Sequence, residues 1–320
     1  MTVAVDAVPR ALERLEGFAR PDVPLAPYTT YRVGGPAAVL AEPRTVEELL
    51  AVGRAAAATG LPVLVVGRGS NLLVADAGFP GIAVSLASCS GAADRIDVDG
   101  TRVTAGAAVA LPVLARRTVA GGLSGLEWAV GVPGSVGGAV RMNAGGHGSD
   151  IAASLLHATV VDLRDGRRGT VPAARLGLRF RASDLADEQV VLDATFALRP
   201  GEVADGEAQL AEIVRWRREH QPGGQNAGSV FVNPVPGELP AGRLVDDLGL
   251  RGLCIGTAHV SEKHANFIQA GDGGTAADVR AVMEHVRAAV HQATGILLRS
   301  EIRLVGFADM PAEARPGVVW

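Results

Sequence analysis

Residues 131 to 148 run Gly131-Val132-Pro133-Gly134-Ser135-Val136-Gly137-Gly138-Ala139-Val140-Arg141-Met142-Asn143-Ala144-Gly145-Gly146-His147-Gly148, with no charged side chain before Arg141. Glycine gives up more backbone freedom on folding than any other residue, so the stretch predicts neither a stable helix nor a packed strand. It lets main-chain N–H groups come close to something flat or anionic, and such concave donor sets suit phosphate. Flexible linkers are also glycine-rich. Here, however, the flanks Leu123–Val130 and Ile151–Val161 are apolar enough to be core.

A chain of 320 residues predicts two or three domains. With 48% hydrophobic residues and mean hydropathy +0.23, it can bury a large core. A net charge of −4 argues against a nucleic-acid or anionic-membrane surface. Lys263 is the only lysine, so the positive charge is almost all arginine. Cys89 and Cys254 form no CxxC pair, which excludes a disulfide framework or a zinc site as the organising feature; no metal is expected. Residues 1 to 17 carry Asp6, Glu13 and Glu16 and do not read as a secretory leader, and no run approaches the roughly 18 apolar residues of a membrane span. The expectation is a soluble cytoplasmic protein.

Thr45 and Glu48 make a capping box ahead of an apolar-periodic helix that Gly60 stops. Pro62–Val66 reads as a buried strand running into a second glycine-rich loop, Gly67-Arg68-Gly69-Ser70-Asn71-Leu72-Leu73-Val74; Ile82–Leu86 is a further strand. Hairpins are predicted at Arg95–Ala107, turning at Asp99-Gly100, and at Ala158–Val171, turning at Asp165-Gly166. Leu111–Ala120 and Ala208–His220 read as helices, and Thr275 with Asp278 caps a long amphipathic helix stopped by Gly295. Val190–Leu198 and Ile296–Val305 read as strands. Domain boundaries are expected at 1–87, 88–204 and 205–310, with a tail at 311–320.

Gly67-Arg68-Gly69 follows a strand but is not the Rossmann fingerprint, because position 72 is leucine and no helix opens there. Two glycine-rich loops in one region do suit a pyrophosphate-bearing cofactor held between them, with Ser70 and Asn71 as side-chain donors. Ser229, in Gly228-Ser229-Val230-Phe231, lacks the G-x-S-x-G elbow and reads on its own as a turn residue, a nucleophile or a proton donor. Ser261-Glu262-Lys263-His264-Ala265-Asn266 suits an anion-binding loop better than a catalytic pair. Glu301 lies among apolar neighbours, and Arg181 can clamp a carboxylate with both guanidinium nitrogens.

Taken in order, these segments resemble the MurB reductase family, the UDP-N-acetylenolpyruvoylglucosamine reductases of peptidoglycan precursor synthesis. Thr29–Gly35, Gly67–Val74, Gly122–Gly148, Gly228–Pro234, Ala241–Gly252, Val260–Ile268 and Glu301–Gly306 carry the likeness. It implies an α+β fold: an FAD-binding unit of the vanillyl-alcohol-oxidase (PCMH) type in two subdomains, plus a C-terminal α+β substrate domain. It implies non-covalent FAD, NADPH as electron donor, and reduction of UDP-N-acetylglucosamine enolpyruvate to UDP-N-acetylmuramate, with sugar nucleotide and NADPH using one pocket in turn.

By the same resemblance Ser229 donates a proton to C2, while Arg181 and Glu301 stand near the substrate carboxylate. The cofactor residues are Gly67, Arg68, Gly69, Ser70, Asn71, Leu72, Gly131, Val132, Pro133, Gly134, Ser135, Gly137, Gly138, Asn143 and Gly145. The substrate residues are Asn233, Lys263, His264 and Asn266. A monomer with no nucleic-acid or membrane partner is expected, acting in cell-wall biogenesis and hence in cell shape, division and the cell cycle.

The chain departs from the family pattern at Phe180, Val232, Arg299 and Gln269-Ala270. It resembles a shorter subgroup without an extra tyrosine-bearing insertion. These departures leave open a sister flavoenzyme acting on another enolpyruvyl or sugar-nucleotide substrate, and a sugar-nucleotide-binding protein without flavin.

Overall fold

Two sheets and a smaller C-terminal layer make up the chain. The computed structural model describes residues 6–87 and 94–307; Cys89 and the expected 311–320 tail lie outside the described residues. Helix α1 (Ala7–Arg14) and helix α2 (Val46–Thr59) pack against a four-stranded sheet ordered Ala19–Pro24, Pro36–Ala41, Phe79–Ser85, Val63–Val66. The α2 start is the predicted box: Thr45 Oγ1 accepts from Glu48 N at 3.1 Å. Its stop is Gly60 in the left-handed region, φ 71°.

The second sheet is antiparallel and five-stranded, ordered Arg168–Pro172, Leu155–Asp162, Gln189–Ala197, Arg102–Gly106, Ile96–Asp99. Both predicted hairpins lie in it. Helix α3 (Leu111–Ala120) follows the Arg102–Gly106 strand of this sheet in sequence, as expected.

The glycine run holds a helix that its composition argued against: α4, Val136–Met142. Each interior glycine costs about 1 kcal/mol relative to alanine. Tertiary contacts offset that cost. Ser135 caps the start, its Oγ accepting from Gly138 N at 3.4 Å. Val136, Ala139 and Val140 are buried in the main core. Gly137 N donates to Ala107 O at 3.0 Å, and a Cβ on Gly137 would stand 2.9 Å from the Ala107 Cβ, so only glycine permits this approach. Asn143, at φ 40°, ends the helix.

Helix α5 (Val203–His220) starts five residues before the predicted start. Its buried stripe Gly206, Leu210, Ile213 joins the main core, with Gly206 tight against Val119 of α3. Helix α6 (Ala241–Asp247), a three-stranded antiparallel sheet (Cys254–Ile255, Ala258–Val260, Ile268–Ala270) and helix α7 (Ala276–Thr294) form a separate core that also takes in Tyr31, Val33 and Leu73.

The closing strand is shorter than the sequence pattern indicated. The continuous strand is only Arg303–Val305, which pairs in parallel with Leu72–Val74 immediately after the first glycine loop, while Ser300 makes a single antiparallel bridge to Phe231. Apolar Leu298 and Ile302 owe their burial to the C-terminal core rather than to strand alternation. Asn71 holds this junction: its Nδ2 donates to Glu301 O at 3.0 Å, and its own carbonyl accepts from Arg303 N at 3.0 Å. Asp76, four residues past Leu72, accepts from Ala276 N at 2.8 Å and Ala277 N at 2.9 Å, covering the start of α7.

Candidate active site

The two glycine loops face each other. A Cβ on Gly67 would stand 2.9 Å from Ser135 Oγ, and one on Gly134 would stand 3.7 Å from Ser70 Oγ. Between and beyond them lie two cavities of about 590 and 530 Å³ that share Gly67, Arg68, Ser135, Gly138, Arg141 and Arg303 as walls. The first continues toward Tyr28, Thr29, Ala107 and Val190. The second continues to Arg181, Ser229 and Glu301.

The residues fit an FAD. Among the described residues, none of the main-chain N–H groups from Gly67 to Asn71, nor those of Gly134 and Ser135, donates to a protein acceptor. Seven unpaired donors around one cleft are what a diphosphate requires. Gly69, at φ 62°, has its α-carbon so close to Tyr28 O that a Cβ would stand 1.9 Å away. The cofactor residues of the sequence analysis divide accordingly. Gly67 to Leu72, Gly131 to Ser135, Gly138 and Gly145 line the second cavity, and Gly137 lines the first. Asn143 lines neither: its side chain bonds Asp150 Oδ2, Arg179 O and Ala152 N, holding the turn after α4.

Arg181, Ser229 and Glu301 meet at one wall, although 120 positions separate the first from the last. Arg181 Nε lies 2.7 Å from Glu301 Oε1. The N–H does not point along that contact, so the pair is an ion pair without a well-directed hydrogen bond. Burial raises the Glu301 carboxyl above the ordinary range, and the Arg181 charge pulls it part of the way back. Arg181 itself adopts φ 56° and lies over the Phe180 ring, 5.1 Å from its centroid.

Ser229 is half-buried and follows Gly228, at φ 77°. Its neighbours are fixed on both sides. Val230 N donates to Asn266 O, and Glu301 N donates to Val230 O, each at 2.8 Å. The serine and the glutamate are therefore tied through one hydrogen-bonded backbone.

The four residues named for substrate line neither cavity. Asn266 is buried and clamps Phe231, accepting from its N at 3.0 Å and donating to its O at 2.8 Å. Asn233 Oδ1 accepts from Ala241 N at 3.0 Å, at the start of α6. Lys263 Nζ donates to Arg218 O. His264 packs on Phe267, and burial lowers its pKa. Asn266 and Asn233 hold the strand-like segment that carries Ser229. Residues that sequence reasoning passed over do line the second cavity: Arg141, His147, Trp216, Arg217, Gln221 and Arg303. Arg141 and Arg303 both pair with Asp187, Arg303 at 2.5 Å. No local motif marked them, since an arginine-rich helix reads as a solvated face.

This α+β fold with its paired glycine loops defines an FAD-binding protein, and residues 36–171 match the FAD binding domain family. Residues 220–305 match the C-terminal domain of UDP-N-acetylenolpyruvoylglucosamine reductase. The enzyme of that name from Rubrobacter xylanophilus is 42% identical over 297 residues, 92% of this chain and 98% of that one. The Heliobacterium modesticaldum enzyme is 43% identical over 285 residues, 88% of this chain and 89% of that one. The crystal structure of the Thermus caldophilus reductase superposes with a TM-score of 0.77 at 35% identity, covering 90% of this chain and all of that one. The chain belongs to the UDP-N-acetylenolpyruvoylglucosamine reductase family. The expected fold class and flavin cofactor are borne out. No helix among the described residues is long and apolar enough to cross a membrane, and none of them form a group of three or more metal-ligating side chains.

Proposed function

We propose that this chain reduces the enolpyruvyl double bond of UDP-N-acetylglucosamine enolpyruvate to give UDP-N-acetylmuramate, with NADPH as electron donor. Bound FAD supplies the hydride that adds to C3. Gly67 to Asn71 with Gly134 and Ser135 would hold its diphosphate.

The chain's own residues manage the charge that follows. Hydride addition at C3 builds enolate-like charge at C2 and on the substrate carboxylate, and this must be stabilised and then protonated. The Ser229 hydroxyl makes no hydrogen bond within the described protein and opens on the cavity, so it is available to donate the proton to C2. Serine is a weak acid, but the carbanion is strongly basic and the pinned backbone keeps the hydroxyl in reach. Arg181 is the cation for the substrate carboxylate. Glu301 Oε1, 2.7 Å from Arg181 Nε, fixes the guanidinium, whose other N–H groups are left to meet the carboxylate.

The observation that carries this reading is the convergence of Arg181, Ser229 and Glu301 on the cavity walled by the glycine loops. NADPH and the sugar nucleotide then use this one cavity in turn. The proposed division runs 1–87 and 88–204 for the flavin unit and 205–310 for the substrate part, with α5 packing back on the flavin half. A cytoplasmic monomer serving cell-wall growth, and through it cell shape, division and the cell cycle, is part of the same proposal. The test is NADPH consumption by FAD-loaded protein given the enolpyruvyl sugar nucleotide. Turnover is expected; a fully flavinated protein that oxidises NADPH no faster with the substrate than without it overturns the reading.

A further inference from the structure

The segment that carries Arg181 and the segment that carries Glu301 meet twice. At the first crossing Arg181 Nε stands 2.7 Å from Glu301 Oε1. At the second, further along both segments, Asp187 Oδ2 stands 2.5 Å from a terminal guanidinium nitrogen of Arg303. The polarity alternates. Arg181 and Asp187 supply a cation and then an anion, while Glu301 and Arg303 supply an anion and then a cation. A slipped alignment would bring Arg181 to Arg303 and Asp187 to Glu301, so the second pair specifies the register of the first. Among the described residues, no backbone hydrogen bond joins 176–188 to 299–305. The spacing between the two segments is therefore set by side chains.

Asp187 is anchored on its own side. Arg141, on α4, donates from one terminal nitrogen to Ala186 O at 2.7 Å and from the other to Asp187 Oδ1. Ser183 Oγ donates to Arg141 O at 2.5 Å. Arg303 is anchored on the other side, its N donating to Asn71 O at 3.0 Å beside the pairing with Leu72. The Asp187 carboxylate thus takes one guanidinium on each oxygen. A lone half-exposed ion pair contributes little, but a carboxylate shared by two anchored guanidiniums is a network. Arg181 depends on such anchors. Its φ of 56° is strained, and Arg179 and Ala182 close the turn around it with two backbone hydrogen bonds of 3.0 Å. That turn fixes the backbone locally but not its distance from Glu301. Asp187 lines the first cavity and not the second, so it stands apart from the reacting groups.

We propose that Asp187 is a positioning residue for the reduction: through Arg303 it holds the closing segment at the distance and register where Glu301 meets Arg181. The assignment rests on the reaction proposed above, in which Arg181 binds the substrate carboxylate. With Asp187 neutral, Arg141 and Arg303 lose their shared anion. The closing segment is then free to shift against 176–188, and the Arg181 guanidinium is no longer presented in one place. The carboxylate end of the sugar nucleotide loses its partner, while the rest of the ligand is held as before.

The experiment compares calorimetric dissociation constants of UDP-N-acetylmuramate, which carries the carboxylate, and UDP-N-acetylglucosamine, which lacks it, on FAD-loaded, full-length protein. Asp187→Asn keeps the side-chain size and both arginines. It should weaken UDP-N-acetylmuramate by about tenfold, part of what a charged pair contributes, and leave UDP-N-acetylglucosamine unchanged. Oxidation of reduced flavin by the enolpyruvyl substrate should slow by a similar factor. A purely long-range effect has the opposite sign, because removing an anion beside two arginines makes the cleft more positive and tightens a carboxylate. Arg303→Lys keeps the charge but not the planar fork, and should weaken the same ligand selectively. It serves as the second variant should Asp187→Asn be unstable. UDP-N-acetylmuramate bound as tightly as by wild type or more tightly, or both ligands weakened alike, overturns the assignment. Wild-type protein that prefers the carboxylate ligand, with that preference lost in Asp187→Asn, but does not reduce the substrate refutes the proposed reaction alone. Turnover with the preference insensitive to Asp187 refutes this assignment alone.

Discussion

Arg181 Nε stands 2.7 Å from Glu301 Oε1, joining a residue just after the second flavin sheet's hairpin to one just before the last strand. The arginine reaches it from a left-handed backbone conformation at φ 56°, which an L residue adopts only at a cost of about 1–3 kcal/mol. Such a conformation persists because surrounding contacts over-determine it.

The pair sets a pH dependence. Burial raises the Glu301 pKa and Arg181 lowers it, so the carboxylate that fixes Arg181 is lost as pH falls through a value above the usual carboxylate range. Wild-type kcat should therefore decline on the acid side. In Arg181→Met the lowering influence is gone, and the Glu301 pKa rises further. Residual activity should then lose its acid limb at higher pH than wild type. A pH profile of kcat checks this, and an acid limb that stays in place removes Glu301 from the titrating group.

Ser229→Ala separates the two half-reactions. Flavin reduction by NADPH should be nearly intact, because no proton from Ser229 is needed there. Oxidation of reduced flavin by substrate should slow by about 10²- to 10⁴-fold, the usual range for a positioned acid. Stopped-flow absorbance of the flavin reads both steps. Equal slowing of the two would show that the serine only shapes the cavity.

Gly134→Val and Gly69→Ala should fail differently. The Cβ position of Gly134 is open toward Ser70 across the cleft, so valine there should leave the protein folded and reduce its FAD content. Gly69 has a positive φ, and its Cβ would strike Tyr28 O, so alanine should lower the melting temperature as well. Flavin absorbance per mole of protein, together with thermal unfolding, distinguishes them; Gly134→Val with full FAD would show that this glycine serves only the turn.

Asp76 caps α7 across the junction between the flavin unit and the C-terminal core, accepting from Ala276 N and Ala277 N. Asp76→Ala should destabilise the chain by about 1–2 kcal/mol, the upper part of the range for a lost cap, with Asp76→Asn recovering much of it. Denaturant unfolding measures this. A change under a few tenths of a kcal/mol would mean that water replaces the carboxylate at no cost.

Much was legible in the chain because its signals are local. Thr45 with Glu48, Thr275 with Asp278, and the stops at Gly60 and Gly295 are decided by hydrogen bonds within one turn. The two glycine loops identified a phosphate-bearing cofactor for a similar reason: their N–H groups are left over by their own conformations. The helix Val136–Met142 was not legible. It exists because Val136 and Val140 find a core and Gly137 finds Ala107, neither of which is near in sequence.

The sequence alone determined the local backbone chemistry: where the capped helices at Val46–Thr59 and Ala276–Thr294 start and stop, which loops present bare amides, and which family these motifs mark. Only the tertiary structure decided which side chains act together. It brought Glu301 to Arg181, left Lys263 and His264 outside the cavity, and placed Trp216, Arg217 and Gln221 on its wall. The physical reason is range. A cap or a turn is settled by neighbours three or four residues away, whereas the ion pair that opposes the raised Glu301 pKa comes from Arg181, 120 residues distant.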